Sequence, residues 1–461
     1  MKDFSEWLLL ERQLDQAMRS AAGKTFDAIE ADLLMLVKTT AKSFAEFLPK
    51  AYMGNLNMQS HDTAAVILAD MMPTMGSKMK IYSEKYGSNL SMQMQIPMSM
   101  VTIPPVITPE MMKAAGFGSA PNPMRLFIAG IGKGGVGGTY VSSRSTKRTS
   151  GNATFILTDE GSVLINLYSF VPFKFKKDSV LYKAINDALT AKVKGEGKGN
   201  IGKAMEPWVK SFERELRAVR STFVHEFIHF LDDMRYSKPT PGNISKGIMV
   251  SSDTTDTEKK AYYTSDAEWN AYYQAAAEQI EDALSSYLVA ATSDRSAKYV
   301  STIRNTRFNT MLPTAKCAEV AKLVVDDFNE RIEEVTKDGR IVRLLTDFGL
   351  QSTPFKGLHR FCLAYIVANA DKTSKFFLAE PDKRMKLLNR ITSLVDDIRK
   401  EVASYQRRMG AGQAPTAQEH AAALRKFKLA EGQPLERSAY RAMIASSTML
   451  KHKRFDPSKE Y

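Results

Sequence analysis

The chain has 461 residues, 44% of them hydrophobic and 25% charged, with a formal net charge of +13. That is the composition of an ordinary soluble globular protein, at a length that predicts roughly two to four domains rather than one core. The excess of basic charge favours an anionic partner, whether nucleic acid, a lipid surface or an acidic protein. No alternation of basic and aromatic residues puts nucleic acid first.

The N-terminal stretch "MKDFSEWLLLERQ" has charge on both sides of a very short apolar run. It is not the pattern of a signal peptide, and no uninterrupted apolar stretch reaches membrane-spanning length. Residues 3–48 predict two amphipathic helices. Leu33, Leu34, Val37, Phe44 and Phe47 recur at helical intervals, and Gly23 in "SAAGKT" punctuates.

Residues 53–112 are rich in methionine. In "SMQMQIPMSMVTI", Met92, Met94, Ile96, Met98 and Met100 fall at every second position, which predicts a strand with one apolar face. Pro97 on the other face suggests an edge strand or a bulge. Methionine there serves core packing or an adaptable surface for a partner chain.

"RLFIAGIGKGGVGGTY" (125–140) reads as an apolar strand followed by a glycine-rich loop. Its "KGGVGGT" looks like the deviant Walker A motif of partition-type ATPases. Gly138 stands where that motif has a lysine, and "YVSSRSTKRTSG" is no amphipathic helix to face a phosphate. An inter-strand loop is the better reading. "NATFIL" and "SVLINLYSF" flank the turn "TDEG" and predict a β-hairpin over 152–170. "AKVKGEGKGNIGK" (191–203) reads as a loop.

"STFVHEFIHFLDDMRY" (221–236) carries the chemistry. Pro207 predicts a helix start, and Pro239 lies past the end. Met205, Trp208, Phe212, Leu216, Val219, Phe223 and Phe227 form one stripe. His225 and His229 lie opposite, four residues apart, so their rings can converge on one point. Glu226 is about 100° round the helix from His225. Phe223, Val224, Phe227, Ile228, Phe230 and Leu231 make the surroundings apolar, where polar groups need partners. A bound cation would satisfy both imidazoles; a mutually satisfied core histidine pair is the plainer alternative.

"VHEFIHFLDD" resembles the active-site helix of the zincin metallopeptidases of bacterial and phage origin. The resemblance implies that His225 and His229 ligate Zn2+ and that Glu226 is the catalytic general base on a metal-activated water. It covers only a few residues of the chain. Position 232 is Asp and 235 is Arg, so the metzincin extension is absent and the gluzincin pattern remains, with a glutamate on a later helix as third ligand.

"YYTSDAEWNAYYQAAAEQIEDALSSYL" (262–288) predicts that helix, with an apolar stripe of Trp269, Tyr273, Ala276, Ile280, Leu284 and Tyr287. Glu268 borders the stripe, with Ala271 and Ala275 on its own face, and looks like the third ligand. It also completes a capping box with Ser265, which needs no metal. Glu278 points to the far side, into solvent. Tyr272 replaces the aspartate that follows the ligand in thermolysin-like enzymes, so Asp232 is the substitute orienter of a histidine. "SVLINLYSF" is either a substrate-holding edge strand or an ordinary strand. Tyr262, Tyr263 and His359 are candidates to steady an oxyanion.

The chain then reads as helical to residue 409, with "GAGQAPTAQ" (410–418) a linker by composition and the basic tail an arm that orders on a partner. Cys317 and Cys362 read as buried thiols of a reducing compartment. The sequence thus predicts an α+β fold: a zincin-like core of a small mixed sheet plus active-site helix, flanked by mostly α-helical regions. The expected boundaries are 1–115, helical and Met-rich; 120–290, catalytic; 291–409, helical; and 410–461, linker and basic tail. The expected function is a zinc metallopeptidase acting on proteins or peptides, in a cytoplasm or carried in a virion. The alternative is a non-catalytic assembly protein, for example a phage virion component, whose partners bind the Met-rich strand and the basic tail.

Overall fold

The computed structural model describes residues 4–53, 79–83, 90–96, 98–114, 124–130, 138–141, 148–150, 153–155, 162–166, 187–188, 190–191, 194–195, 201–235, 265–302, 314–370, 374 and 377–426. The chain divides into two compact units. One is Gln13–Thr255 with Arg454–Tyr461, and the other is Met1–Arg12 with Asp256–Lys453.

A single helix, α1 (Phe4–Met53), replaces the two expected, and its residues from Gln13 onward belong to the first unit. It runs straight through Gly23. A glycine inside a helix costs only about 1 kcal/mol against alanine, and here the small-residue stretch is packed rather than exposed. Met18, Ala21, Ala22, Phe26 and Ile29 are all buried. Thr25 donates its hydroxyl to the Ala21 carbonyl at 2.8 Å and accepts the Thr102 amide at 3.1 Å, which ties the helix to the segment crossing it.

The strands are short: β1 (Met79–Ser83), β2 (Leu90–Gln95), β3 (Arg125–Gly130), β4 (Gly138–Val141), β5 (Arg148–Ser150), β6 (Ala153–Phe155) and β7 (Ser162–Asn166). Five of them form one sheet in the order β1-β2-β3-β7-β4, and β5 and β6 pair separately. Among the described residues only β3 and β7 run parallel. The expected hairpin over 152–170 is not formed among the described residues: β7 pairs with β3 and β4 instead. Nor is the methionine strand an edge. β2 lies between β1 and β3, and Met98–Met100 form a 3-10 turn rather than more strand. Pro97 lies outside the described residues.

Register puts Leu126, Val163 and Tyr140 in one row across the sheet, with Ile165 and Gly138 in the next. Leu126, Val163 and Ile165 are buried on that face. Helix α2 (Pro109–Ala114) and helix α3 (Ile201–Arg235) also belong to this unit, and α3 packs on β4 and β7.

The second unit is a cluster of helices: α4 (Asp266–Thr302), α5 (Thr314–Thr336), α6 (Gly339–Asp347), α7 (Gly357–Asn369), α8 (Pro381–Gly410) and α9 (Ala417–Lys426). Helix α7 is apolar on nearly all sides, and Phe361 to Ala368 are all buried, as an all-round apolar helix requires. Trp269 of α4 stacks on Phe377 with centroids 4.0 Å apart. Arg390 of α8 lies over the Tyr273 ring at 3.8 Å, and the Tyr273 hydroxyl returns a hydrogen bond to the Arg390 carbonyl at 3.0 Å. Gly412, with φ at 79°, ends α8, and its amide bonds the Met409 carbonyl at 2.9 Å. Residues 413–416 then lead straight into α9, which packs on α4. Cys317 and Cys362 are buried and are not joined in a disulfide.

These observations correct the expected α+β class. Most of the described residues are helical, and the apolar core of the second unit comes almost wholly from helices. The sheet is a minor element of short strands, and a zincin-like core is not supported. The period-two stretches of the sequence carried too much weight, because a few short strands contribute little area beside long helices. Among the described residues no helix is long and apolar enough to cross a membrane.

Candidate functional site

Helix α3 carries the His-Glu-x-x-His motif, and its own apolar residues hold it rigidly. Phe212, Leu216, Phe223 and Phe227 are buried along the predicted stripe. Phe223 meets Phe26 of α1 at 5.4 Å and stacks on Phe227 at 5.5 Å. Arg220 lies over the Phe26 ring and pairs with Asp27 at 2.6 Å. Val224, Ile228, Phe230, Leu231 and Met234 are also fully buried, so the motif turn is enclosed on nearly every side. Pro207 does not start the helix as expected; it lies inside it, beyond a first turn beginning at Ile201.

The two imidazoles converge. His225 Nε2 and His229 Nε2 are 3.2 Å apart, with ring centroids at 4.8 Å and planes at 85°. A tetrahedral cation with metal–nitrogen bonds of about 2.0–2.1 Å holds two ligand nitrogens about 3.3–3.4 Å apart. The observed spacing is within a few tenths of an ångström of that figure. A direct N–H···N hydrogen bond has a similar length, so the spacing suits either a shared cation or a self-satisfied pair.

Glu226 is 8% exposed and lies against strand β4. The contact is at Gly138. A Cβ there would stand 3.0 Å from Glu226 Cγ, 3.2 Å from Glu226 Oε1 and 2.5 Å from Thr222 Cγ2. Two residues along β4, Tyr140 donates its hydroxyl to Asp233 Oδ2 at 2.9 Å and sets its ring edge-on to Phe230 at 6.1 Å. The strand is therefore fixed to the helix at two levels, one of them beside Glu226. Asp232, the expected orienter, is buried on α3 three residues after His229.

Glu268 belongs to the helical unit. It lies in the first turn of α4, is 4% exposed, and donates its amide to Ser265 Oγ at 3.3 Å. The capping half of the expected box is thus formed. The predicted stripe of α4 is buried throughout, from Trp269 to Tyr287, and so are Ala271 and Ala275. Glu278 is not solvated as expected but 5% exposed. Helix α4 is enclosed on more sides than its apolar stripe covers.

The remaining candidates scatter. His359 is on α7 with its ring 5.2 Å from Phe355, and burial, helped by the Arg399 charge, holds its pKa below the usual histidine value. Tyr262 and Tyr263 lie outside the described residues. Strand β7 is paired on both sides and is no free edge, whereas β4 is the last strand of the sheet among the described residues. Sequence reasoning missed Gly138 and Tyr140. The glycine run drew attention to phosphate binding, and a four-residue strand gives almost no alternation to read.

Compared with known protein families, with curated proteins and with solved structures, the chain has no match in any of the three.

Proposed function

We propose that this chain is a metal-dependent peptidase and that its cation is zinc. The observation that carries the reading is the 3.2 Å separation of the His225 and His229 Nε2 atoms. The donor set that the motif resemblance implies is His225, His229 and Glu268: two imidazoles and a carboxylate, with a fourth position left open. That set suits Zn2+ better than Mg2+ or Ca2+, which prefer all-oxygen ligands. The proposal concerns the site alone and not a zincin fold.

A cation held there would polarise a substrate carbonyl and make water acidic near neutral pH. Glu226 is the general base. It takes the proton of the attacking water and hands it to the departing amine nitrogen. Its enclosure between α3 and β4 keeps the carboxylate from wandering into solvent, and the buried Asp232 is the proposed orienter of a histidine. The substrate is a protein or peptide. The net charge of +13 suits an anionic partner. We place the activity in a cytoplasm or a virion.

The test is a metal count. After exhaustive dialysis the wild-type chain is expected to carry one zinc per chain and His229→Ala none. A wild type that loses its metal as readily as the variant would sink the peptidase reading. Zinc retained with no hydrolysis of casein or a peptide library would point to the assembly role.

A further inference from the structure

The glycine run of the sequence ends at a residue that the proposed chemistry does not itself require. Gly138 is the first residue of β4, and its backbone is extended, so a positive φ is not the reason for glycine there. Space is the reason. A methyl group at that position would meet Thr222 Cγ2 at 2.5 Å, a distance real Cβ atoms essentially never show, and Glu226 Oε1 at 3.2 Å. Both neighbours are on α3, one turn of the helix apart.

The rest of the strand does not give way. Gly138 to Val141 pair in register with Ile165 to Ser162 of β7, which fixes β4 from the sheet side. The Tyr140–Asp233 hydrogen bond and the Tyr140–Phe230 ring contact fix it from the helix side. The helix is equally held, because Phe223, Val224, Phe227 and Ile228 around Glu226 are all buried. The Thr222 and Glu226 side chains, rather than either backbone, are therefore the groups that must move for a new methyl.

We propose that Gly138 is a positioning residue for Glu226: the missing side chain at the start of β4 sets where the Glu226 carboxylate lies. The proposal rests on the peptidase reading for its chemical meaning, since the carboxylate so placed is the proposed general base. A misplacement of about 1 Å at a reacting group can cost about 100-fold in rate without loss of binding.

The experiment compares wild type, Gly138→Ala, Thr222→Ala and the double variant, each as the full zinc-loaded chain. Two readouts are used: steady-state hydrolysis of a peptide substrate, and the carboxyl carbon resonance of Glu226 in 13C-glutamate-labelled protein, assigned with Glu226→Gln. For Gly138→Ala the expected result is kcat down by about 100-fold with KM within about threefold, zinc content unchanged and the Glu226 resonance displaced. Thr222→Ala alone keeps wild-type kcat and resonance. The double variant recovers thermal stability, because the closest clash is gone, but kcat stays low and the resonance stays displaced, because the new methyl still meets Glu226. Recovery of kcat and resonance along with stability would show that Gly138 serves only strand–helix packing, and would overturn the proposal. So would an undisplaced resonance in Gly138→Ala. If wild type does not hydrolyse peptides, the peptidase reading fails, and the resonance still decides whether Gly138 places the carboxylate.

Discussion

Tyr140 and Asp233 join the last strand of the sheet to the motif helix through a hydroxyl-to-carboxylate hydrogen bond of 2.9 Å. Asp233 is 6% exposed, so its charge needs a donor more than a surface carboxylate would. Tyr140→Phe keeps the ring contact with Phe230 and removes only the donor. A hydrogen bond to a charged group contributes roughly 1.5–3 kcal/mol. Urea unfolding of the variant is expected to show a loss in that range, and an unchanged midpoint would mean the bond contributes nothing.

The motif residues separate by role. Glu226→Gln is expected to keep its zinc and lose turnover by about 100-fold or more, since a positioned general base contributes about 10²–10⁴-fold. Glu268→Gln is expected to weaken zinc binding by more than the roughly 10–100-fold that an outer partner of a ligand costs. Competition with a chromogenic chelator measures both. A Glu268→Gln chain with wild-type zinc affinity would leave Glu268 with its capping role alone.

Glu401 gives a pH signature in the helical unit. Burial raises its pKa, the Ser285 hydroxyl bonded to it opposes the rise, and the Glu281 and Asp282 charges add to it. A carboxyl whose pKa is raised on folding keeps its proton in the folded chain after the unfolded chain has lost it. Its contribution is complete below the unfolded value and diminishes as pH rises through the folded one. Glu401→Gln is therefore expected to gain in melting temperature relative to wild type between pH 4 and pH 7. A constant difference across that range would contradict the burial argument.

Asp338 acts in the opposite direction. It is the N-cap of α6, accepting the Arg340 amide at 2.8 Å, and the bonds from the Arg340 side chain and amide hold its pKa down to about 2. Asp338→Ala should cost about 1 kcal/mol near neutrality. That difference is present above the ordinary aspartate pKa and is lost as pH falls towards 2. Paired denaturation curves at pH 6 and pH 2.5 would reveal it.

What could be read from the residues was local and periodic. The α4 stripe repeats every three or four residues from Trp269 to Tyr287, and each named position is buried. The convergence of His225 and His229 needed only helix geometry over one turn. What failed depended on surroundings. Gly23 punctuates a sequence but not a helix whose small residues are packed by a crossing segment. Glu278 faces away from the apolar stripe and is nonetheless covered, as are Gln274 and Thr292 on the same helix. The α+β expectation failed because strand-like alternation says nothing about how much of the interior the strands will occupy. Gly138 could not be understood without knowing which helix lies over it.

The Arg12 guanidinium binds Asp397 Oδ1 at 2.8 Å, Asp396 Oδ2 at 3.4 Å and the Ser393 carbonyl at 3.3 Å. Asp397 keeps only 3% of its side chain in contact with water, so it relies on donors that the protein supplies. On the ribosome this unit cannot be finished until α8 has emerged, because an early arginine must wait for a carboxylate made 385 residues later. Closing so long a loop slows assembly more than it weakens the product. A fragment cut at residue 256 would inherit a buried anion stripped of its guanidinium, so expression of the helical unit calls for a circular permutant that splices residues 1–12 back on.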